Sequence, residues 1–220
     1  MLAPTGQAAV SWVRANLPAS ARVLGEGPVV AALAAAGFPA ESIATTGANW
    51  RDFNYVITSS AANALGPARQ SSIPVAVFAG LEVRQIVTHD LVGLLQARSA
   101  DRADRLMAGA ALLRNPALAS AEQPKTVLVD GDLDMRPAAV LVALGAQARV
   151  DLDAIDVVPA EAAAALPARS ISFRSSDSAS TTKVLTGLSV TYRPSVVRVN
   201  QGGQFNVQWP VSLAPNPSLN

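Results

Sequence analysis

The 220-residue sequence predicts an α/β fold: two small alternating α/β lobes joined by a helix and closed by a C-terminal antiparallel β hairpin. Three observations predict it. Short β-branched or aromatic runs alternate with alanine- and leucine-rich helical stretches in two separate regions. One long helical pattern divides those regions. Near the C-terminus an Asn200-Gln201-Gly202-Gly203 turn separates two alternating runs, a hairpin signal. The expected boundaries are 1–90 for the first lobe, 91–118 for the connecting helix, 119–180 for the second lobe, 181–212 for the hairpin and 213–220 for a tail.

Residues 7–17 place Ala8, Val10, Trp12, Val13 and Leu17 at helical spacing, and Pro18 closes that helix. A strand at 21–24 leads into Gly25-Glu26-Gly27-Pro28, a turn that opens a helix over 29–36 with Gly37 at its C′ position. Residues 43–46 form a short strand and 53–58 a stronger one, and 73–78 and 81–87 are extended segments around Ala79-Gly80. Helices alternating with buried strands predict a largely parallel sheet over 1–90. Residues 90–113 turn helical, with Leu91, Leu94, Leu95, Ala103, Leu106, Met107, Ala110 and Leu113 on one face and Arg and Asp on the other; Asn115-Pro116 ends the run. A second alternation starts with a strand at 126–129, continues through a helix over 136–148 and returns through extended pieces at 150–152 and 155–158. Residues 160–166 form a short helix, 171–173 are extended, and the small polar run 175–182 is a loop. Extended segments at 184–192, 196–200 and 204–209 complete the chain.

Half the residues are apolar and 15% are charged, with a net charge of +1. No Lys or Arg run offsets that neutrality, so the phosphate-neutralising surface that nucleic-acid binding needs is missing. Cysteine is absent, which removes thiol catalysis, Cys-based zinc sites and disulfides together and leaves the compartment open. Basic charge comes from Arg apart from Lys125 and Lys183, a bias that with abundant alanine suits a GC-rich bacterial genome. The start has no basic n-region or apolar h-region, and apolar stretches such as 137–148 are too short for a membrane span. Both ends read as cuts from something longer.

The sharpest motif is Asp130, Asp132 and Asp134 after the apolar run 127–129. Clustered hard carboxylates suit Mg²⁺ or Mn²⁺, so Asp130 and Asp132 are candidate metal ligands of a free-standing metal-dependent hydrolase or transferase. An EF-hand starting at Asp130 would need Gly at 135 and Glu at 141, where Met135 and Leu141 stand. A plainer use makes Asp130-Gly131 a turn and Asp134 the N-cap of the next helix. Gly25-Glu26-Gly27-Pro28 lacks the third glycine of a dinucleotide fingerprint and reads as a structural turn. His89 is the sole histidine, which excludes a multi-His metal centre. Trp50 and Arg51, and Tyr192 and Arg193, are candidate ligand-binding residues able to stack on a sugar ring, as are Trp12 and Trp209; core packing and cation–π pairing compete for the same side chains.

Several phrases resemble the extracytoplasmic C-terminal region that follows the membrane spans of large actinobacterial glycosyltransferases of the dolichyl-phosphate-mannose or GT-C type. They are Ala9-Val10-Ser11-Trp12-Val13-Arg14-Ala15-Asn16-Leu17-Pro18, Ala21-Arg22-Val23-Leu24, Ala35-Ala36-Gly37-Phe38-Pro39, Trp50-Arg51-Asp52-Phe53-Asn54-Tyr55-Val56, Ala110-Ala111-Leu112-Leu113-Arg114-Asn115-Pro116 and Tyr192-Arg193-Pro194. The resemblance implies that the catalytic acids and the lipid-linked donor site lie elsewhere, near the membrane spans, and that Met1 is an added start codon. It implies a non-catalytic domain on the extracytoplasmic face of the cell membrane, with no cofactor. Its partners would be the transmembrane portion of the same polypeptide and an envelope glycan or lipid-linked sugar acceptor, and not nucleic acid. A purely structural spacer is the third expectation.

Overall fold

The structure, a computed structural model, describes residues 3–59 and 65–213; the predicted tail beyond Leu213 lies outside them. The chain divides into two units, Met1–Leu94 with Pro159–Leu166, and Leu95–Val158 with Pro167–Asn220. The fold class is α/β, with one five-stranded mixed sheet in each unit and an antiparallel C-terminal strand pair.

In the first unit α1 (Pro4–Asn16) starts on a proline and buries Ala9, Val10, Trp12 and Val13. β1 (Val23–Gly25) leads into α2 (Gly27–Ala35), and the chain leaves that helix through Gly37 at φ 89°, a left-handed backbone suited to glycine. β2 (Ile43–Ala44), β3 (Tyr55–Thr58), α3 (Gly66–Gln70), β4 (Ser72–Phe78) and β5 (Leu81–Ile86) follow. The sheet order is β2-β1-β3-β5-β4, with β1 parallel to β2 and β3. The remaining pairs, β3 with β5 and β5 with β4, are antiparallel, so the sheet is mixed and not largely parallel. The cause is the Ala79-Gly80 turn: Gly80 at φ 78° folds β4 and β5 into a hairpin, which leaves no room for a crossover helix.

In the second unit α4 (Leu91–Arg114, belonging here from Leu95), β6 (Leu118–Ser120), α5 (Glu122–Val129), α6 (Met135–Gly145) and β7 (Val150–Ile155) come first. α7 (Pro159–Ala163) belongs to the first unit, where it packs against β4. β8 (Ser170–Ser175), α8 (Ser178–Tyr192), β9 (Val196–Val199) and β10 (Gln204–Gln208) complete the second unit. The sheet order is β6-β7-β8-β10-β9, parallel only between β6 and β7. Phe173 and Phe205 stack at 5.3 Å in a core shared with Leu141, Leu144 and Leu185 of the covering helices.

Two predicted strands are helices. Residues 126–129 close α5, because Pro124, Val127 and Leu128 are the buried positions, a three-to-four residue period that a strand lacks. Residues 184–192 belong to α8, together with most of the predicted loop 175–182. Asp177 caps that helix by accepting from Ser180 N at 3.0 Å, and Ser180 holds its carboxyl below the ordinary value. Thr181, Val184, Leu185, Leu188 and Tyr192 then face the core at helical spacing, which overrides the weak helix propensity of Ser and Thr. The piece 150–152 and Ile155 lie in the single strand β7, with a bulge between Leu152 and Ala154, whereas 156–158, predicted as extended with Ile155, follow it outside any strand.

Helix α4 is turned against the usual amphipathic rule. Arg105 is 8% exposed, whereas Met107 is 64% and Leu95 50% exposed. Burial of the polar side is held by Arg105, whose Nε donates to Gly131 O at 2.8 Å and whose Nη1 pairs with Asp101. Close approach fixes the same face, because Gly109 lies directly on the Leu128 carbonyl.

Candidate functional site

The candidate site is the polar face of the second sheet. It follows from strict alternation in two neighbouring strands: Ile171 and Phe173 of β8, and Phe205 and Val207 of β10, are buried in the core. Their neighbours Ser170, Ser172 and Arg174, and Gln204, Asn206 and Gln208, therefore stand on the opposite face. Register aligns them in rows across the strands. Ala154, Ser172, Asn206 and Arg198 share one row, and Asp151, Arg174 and Gln204 another.

A hydrogen-bond network orients these groups. Arg174 donates to Asp153 Oδ1 at 2.6 Å and Gln204 Nε2 to Asp153 Oδ2 at 2.9 Å. The Asn200 amide donates to Gln204 Oε1 at 2.9 Å, and Ser172 Oγ donates to Asn206 Oδ1 at 2.6 Å. The hydrogen bond and charge of Asp153 push Arg174 above its ordinary value, so its guanidinium stays cationic. With Oδ1 engaged by Ser172, the Asn206 amide nitrogen presents two N–H donors that have no acceptor among the described residues. Beside it, Arg198 on β9 is exposed and enters no ion pair among the described residues. The face thus combines fixed amide donors, a carboxylate acceptor and two guanidinium groups on a rigid sheet, the equipment for holding a polyhydroxylated ligand.

The residues singled out in the sequence are placed differently. Trp50 and Arg51 lie in a 3₁₀ turn, Trp50–Asp52, in the first unit. There the Arg51 guanidinium sits 4.5 Å from the Trp50 ring centroid, so one face of that ring carries its own cation, and Arg22 covers Phe53 at 4.9 Å. Tyr192 and Arg193 lie in the second unit: Tyr192 packs against the core as the last residue of α8, and Arg193 caps it at φ 45°. Trp12 and Trp209 are buried and offer no stacking surface.

Asp130 and Asp132 do not follow a strand. Asp130 is the exposed C-cap of α5, and Asp132 is exposed with its backbone carbonyl accepting from Ala168 N at 2.7 Å. Asp134 is the N-cap of α6, accepting from Arg136 N at 2.8 Å and pairing with the Arg136 side chain at 2.7 Å. Among the described residues no three His, Cys, Asp or Glu side chains gather as a metal site.

Family models, curated proteins and solved structures give no match to this chain.

The polar face escaped sequence reading because Ser, Gln and Asn on the solvent side of a strand look like ordinary alternation. The available signal was that the β8 and β10 patterns, Ser170 to Arg174 and Gln204 to Gln208, place amides and hydroxyls in register once the strands pair. A concavity of about 520 Å³ lies between α6 and α8, lined by Ala143, Ala146, Gln147, Lys183, Gly187 and Leu188. It is mostly apolar with a single ammonium, a poorer match to a ligand made of hydroxyls.

Proposed function

We propose that this chain is a non-catalytic recognition module that binds acceptor glycan through the polar face of its second sheet. In this reading the module belongs to a membrane-bound glycosyltransferase of the cell envelope. It stands on the extracytoplasmic side and is continuous with the membrane-spanning portion of the same polypeptide. The observation that supports glycan binding is the Ser172–Asn206 pair beside the Arg174–Asp153–Gln204 network. Planar amides and carboxylates match vicinal hydroxyls, and a sheet holds them without ordering a loop on binding. No helix among the described residues is long and apolar enough to cross a membrane, so attachment in this reading comes from outside the described residues.

The test is calorimetric titration of the full chain with neutral oligosaccharides, namely mannotriose, galactotriose and an arabinan tetrasaccharide. Saturable binding to at least one is expected, weakened about ten-fold by Asn206→Ala, which removes one oriented hydrogen-bonding group. Silence for all three sugars, or binding unchanged by Asn206→Ala, overturns glycan recognition. A gene with no apolar spans upstream overturns the membrane assignment separately.

A further inference from the structure

Helix α4 carries its apolar stripe outward. Leu95, Leu106, Met107 and Leu113 are 50%, 41%, 64% and 37% exposed, and Ser99, Ala103 and Ala110 are exposed between them. Ser99, Ala103, Leu106, Ala110 and Leu113 succeed one another at steps of four, three, four and three, the 3.5-residue repeat of a helix–helix seam. The adjoining face is committed: Arg105, Gly109 and Leu112 are buried, and the Gly109 contact with the Leu128 carbonyl prevents the stripe from rotating inward.

We propose that this stripe is a self-association surface, on which α4 of a second copy packs antiparallel about a two-fold axis. Two features of the chain select its own copy as the occupant. The first is size complementarity. In the antiparallel register that sets Leu106 over the partner's Ala103, Ser99 lies over the partner's Ala110 and Leu113 over the partner's Gln96. The central pair sets a large side chain on a small one, the Ser99–Ala110 pair is small on small and lets the two helices approach closely there, and the two-fold axis repeats each contact. The second is charge complementarity. The turn after α5 lies against α4, because a Cβ on Gly131 would fall 2.8 Å from the Leu106 side chain. Asp130, exposed just before Gly131, therefore flanks the seam at Leu106. In the same register Arg102 comes beside the partner's Leu106, and so beside the partner's Asp130. Neither Arg102 nor Asp130 has an ion-pair partner among the described residues. The two-fold axis makes two such pairs. This surface lies on different residues from the polar sheet face and stands whether or not that face binds glycan.

Sedimentation velocity of the full chain across the micromolar range tests the proposal. A concentration-dependent dimer is expected. Met107→Glu and Ala103→Glu change exposed positions, so the far-UV circular dichroism should be unchanged while self-association weakens about ten-fold or more. Arg102→Asp and Asp130→Arg should each weaken the dimer, and the double exchange should restore it. A chain that stays monomeric throughout, or a dimer that Met107→Glu leaves intact, overturns the proposal. So does a monomer that floats with phosphatidylglycerol vesicles and loses that property on Met107→Glu, which would give the stripe to a lipid surface.

Discussion

Arg105 shows at one residue how the second unit places its charge. Its guanidinium is buried, yet it pairs with Asp101 one helical turn away and donates to Gly131 O at 2.8 Å. The pair is only partly compensating for the acid. Burial raises the Asp101 carboxyl above its ordinary value of 3.8, and the Asp134 and Asp104 charges add to the rise against the pull of Arg105. A carboxyl raised in the folded state binds more protons there than in the unfolded chain. Asp101 therefore contributes stability that grows as pH falls through the interval above 3.8 and is lost as pH rises through it. Replacing the cation sharpens this. Arg105→Met removes the guanidinium paired with Asp101, leaving only the weaker influence of Arg98, and strands the Gly131 carbonyl, at a cost of about 3 kcal/mol at neutral pH. Part of that loss should be recovered at acid pH, in the interval above 3.8, where protonation of the raised carboxyl removes its charge. Urea unfolding at the two pH values measures both numbers, and an equal cost at each would contradict the role given to Asp101.

At the scale of elements, α4 and α5 depend on one close approach. A Cβ at Gly109 would stand 2.1 Å from the Leu128 carbonyl oxygen, which is backbone and cannot swing aside. Gly109→Ala should therefore destabilise the chain by about 2 kcal/mol, although alanine is the better helix former. Gly187→Ala in α8, with nothing within 4 Å, is the control and should be neutral or mildly stabilising. Thermal unfolding of the two variants compares them directly. The pair also shows what sequence patterning could reveal. The helical run at 90–113 was legible, and Gly109 within it looks like a mild weakness, since its packing partner lies nineteen positions on, in α5. Strong local signals were legible at three other places: Gly37 after α2, Asp134 at the start of α6 and the Asn200 to Gly203 turn all sit where their side chains or φ preference direct. α5 and α8 were hidden because Thr126 to Val129 and Val184 to Tyr192 are rich in β-branched residues, and burial at three- and four-residue spacing overrides that preference. The polar sheet face was hidden for a different reason. Its members lie on β7, β8 and β10, and only strand pairing brings Asp153 to Gln204 and Ser172 to Asn206.

At the scale of the whole chain, the first unit is not a continuous stretch of sequence. It takes back Pro159–Leu166 from between β7 and β8, and the segment brings Glu161, 2% exposed, to accept from Trp12 Nε1 at 2.9 Å. Reading contiguous blocks could not find this, because Trp12 and Glu161 are 149 positions apart and nothing local marks either as a partner. The consequence is that a cut after the first lobe removes part of its own packing. In residues 1–94 alone, α1 loses the acceptor for a buried indole N–H, and β4 loses the helix α7 that covers it. An unpaired buried donor costs about 1–3 kcal/mol, and exposed apolar surface on β4 adds to that, against the few kcal/mol by which a domain of this size is stable. The fragment 1–94 is expected to keep helical far-UV circular dichroism but lose the near-UV signal of Trp12. A version carrying 159–166 on a flexible glycine–serine linker should recover it. Glu161→Ala in the full chain should shift Trp12 emission to the red without unfolding the second unit, whose core does not include Trp12 or Glu161. A 1–94 fragment with the near-UV spectrum and unfolding midpoint of the linked version would show that the returning segment is dispensable to the first unit.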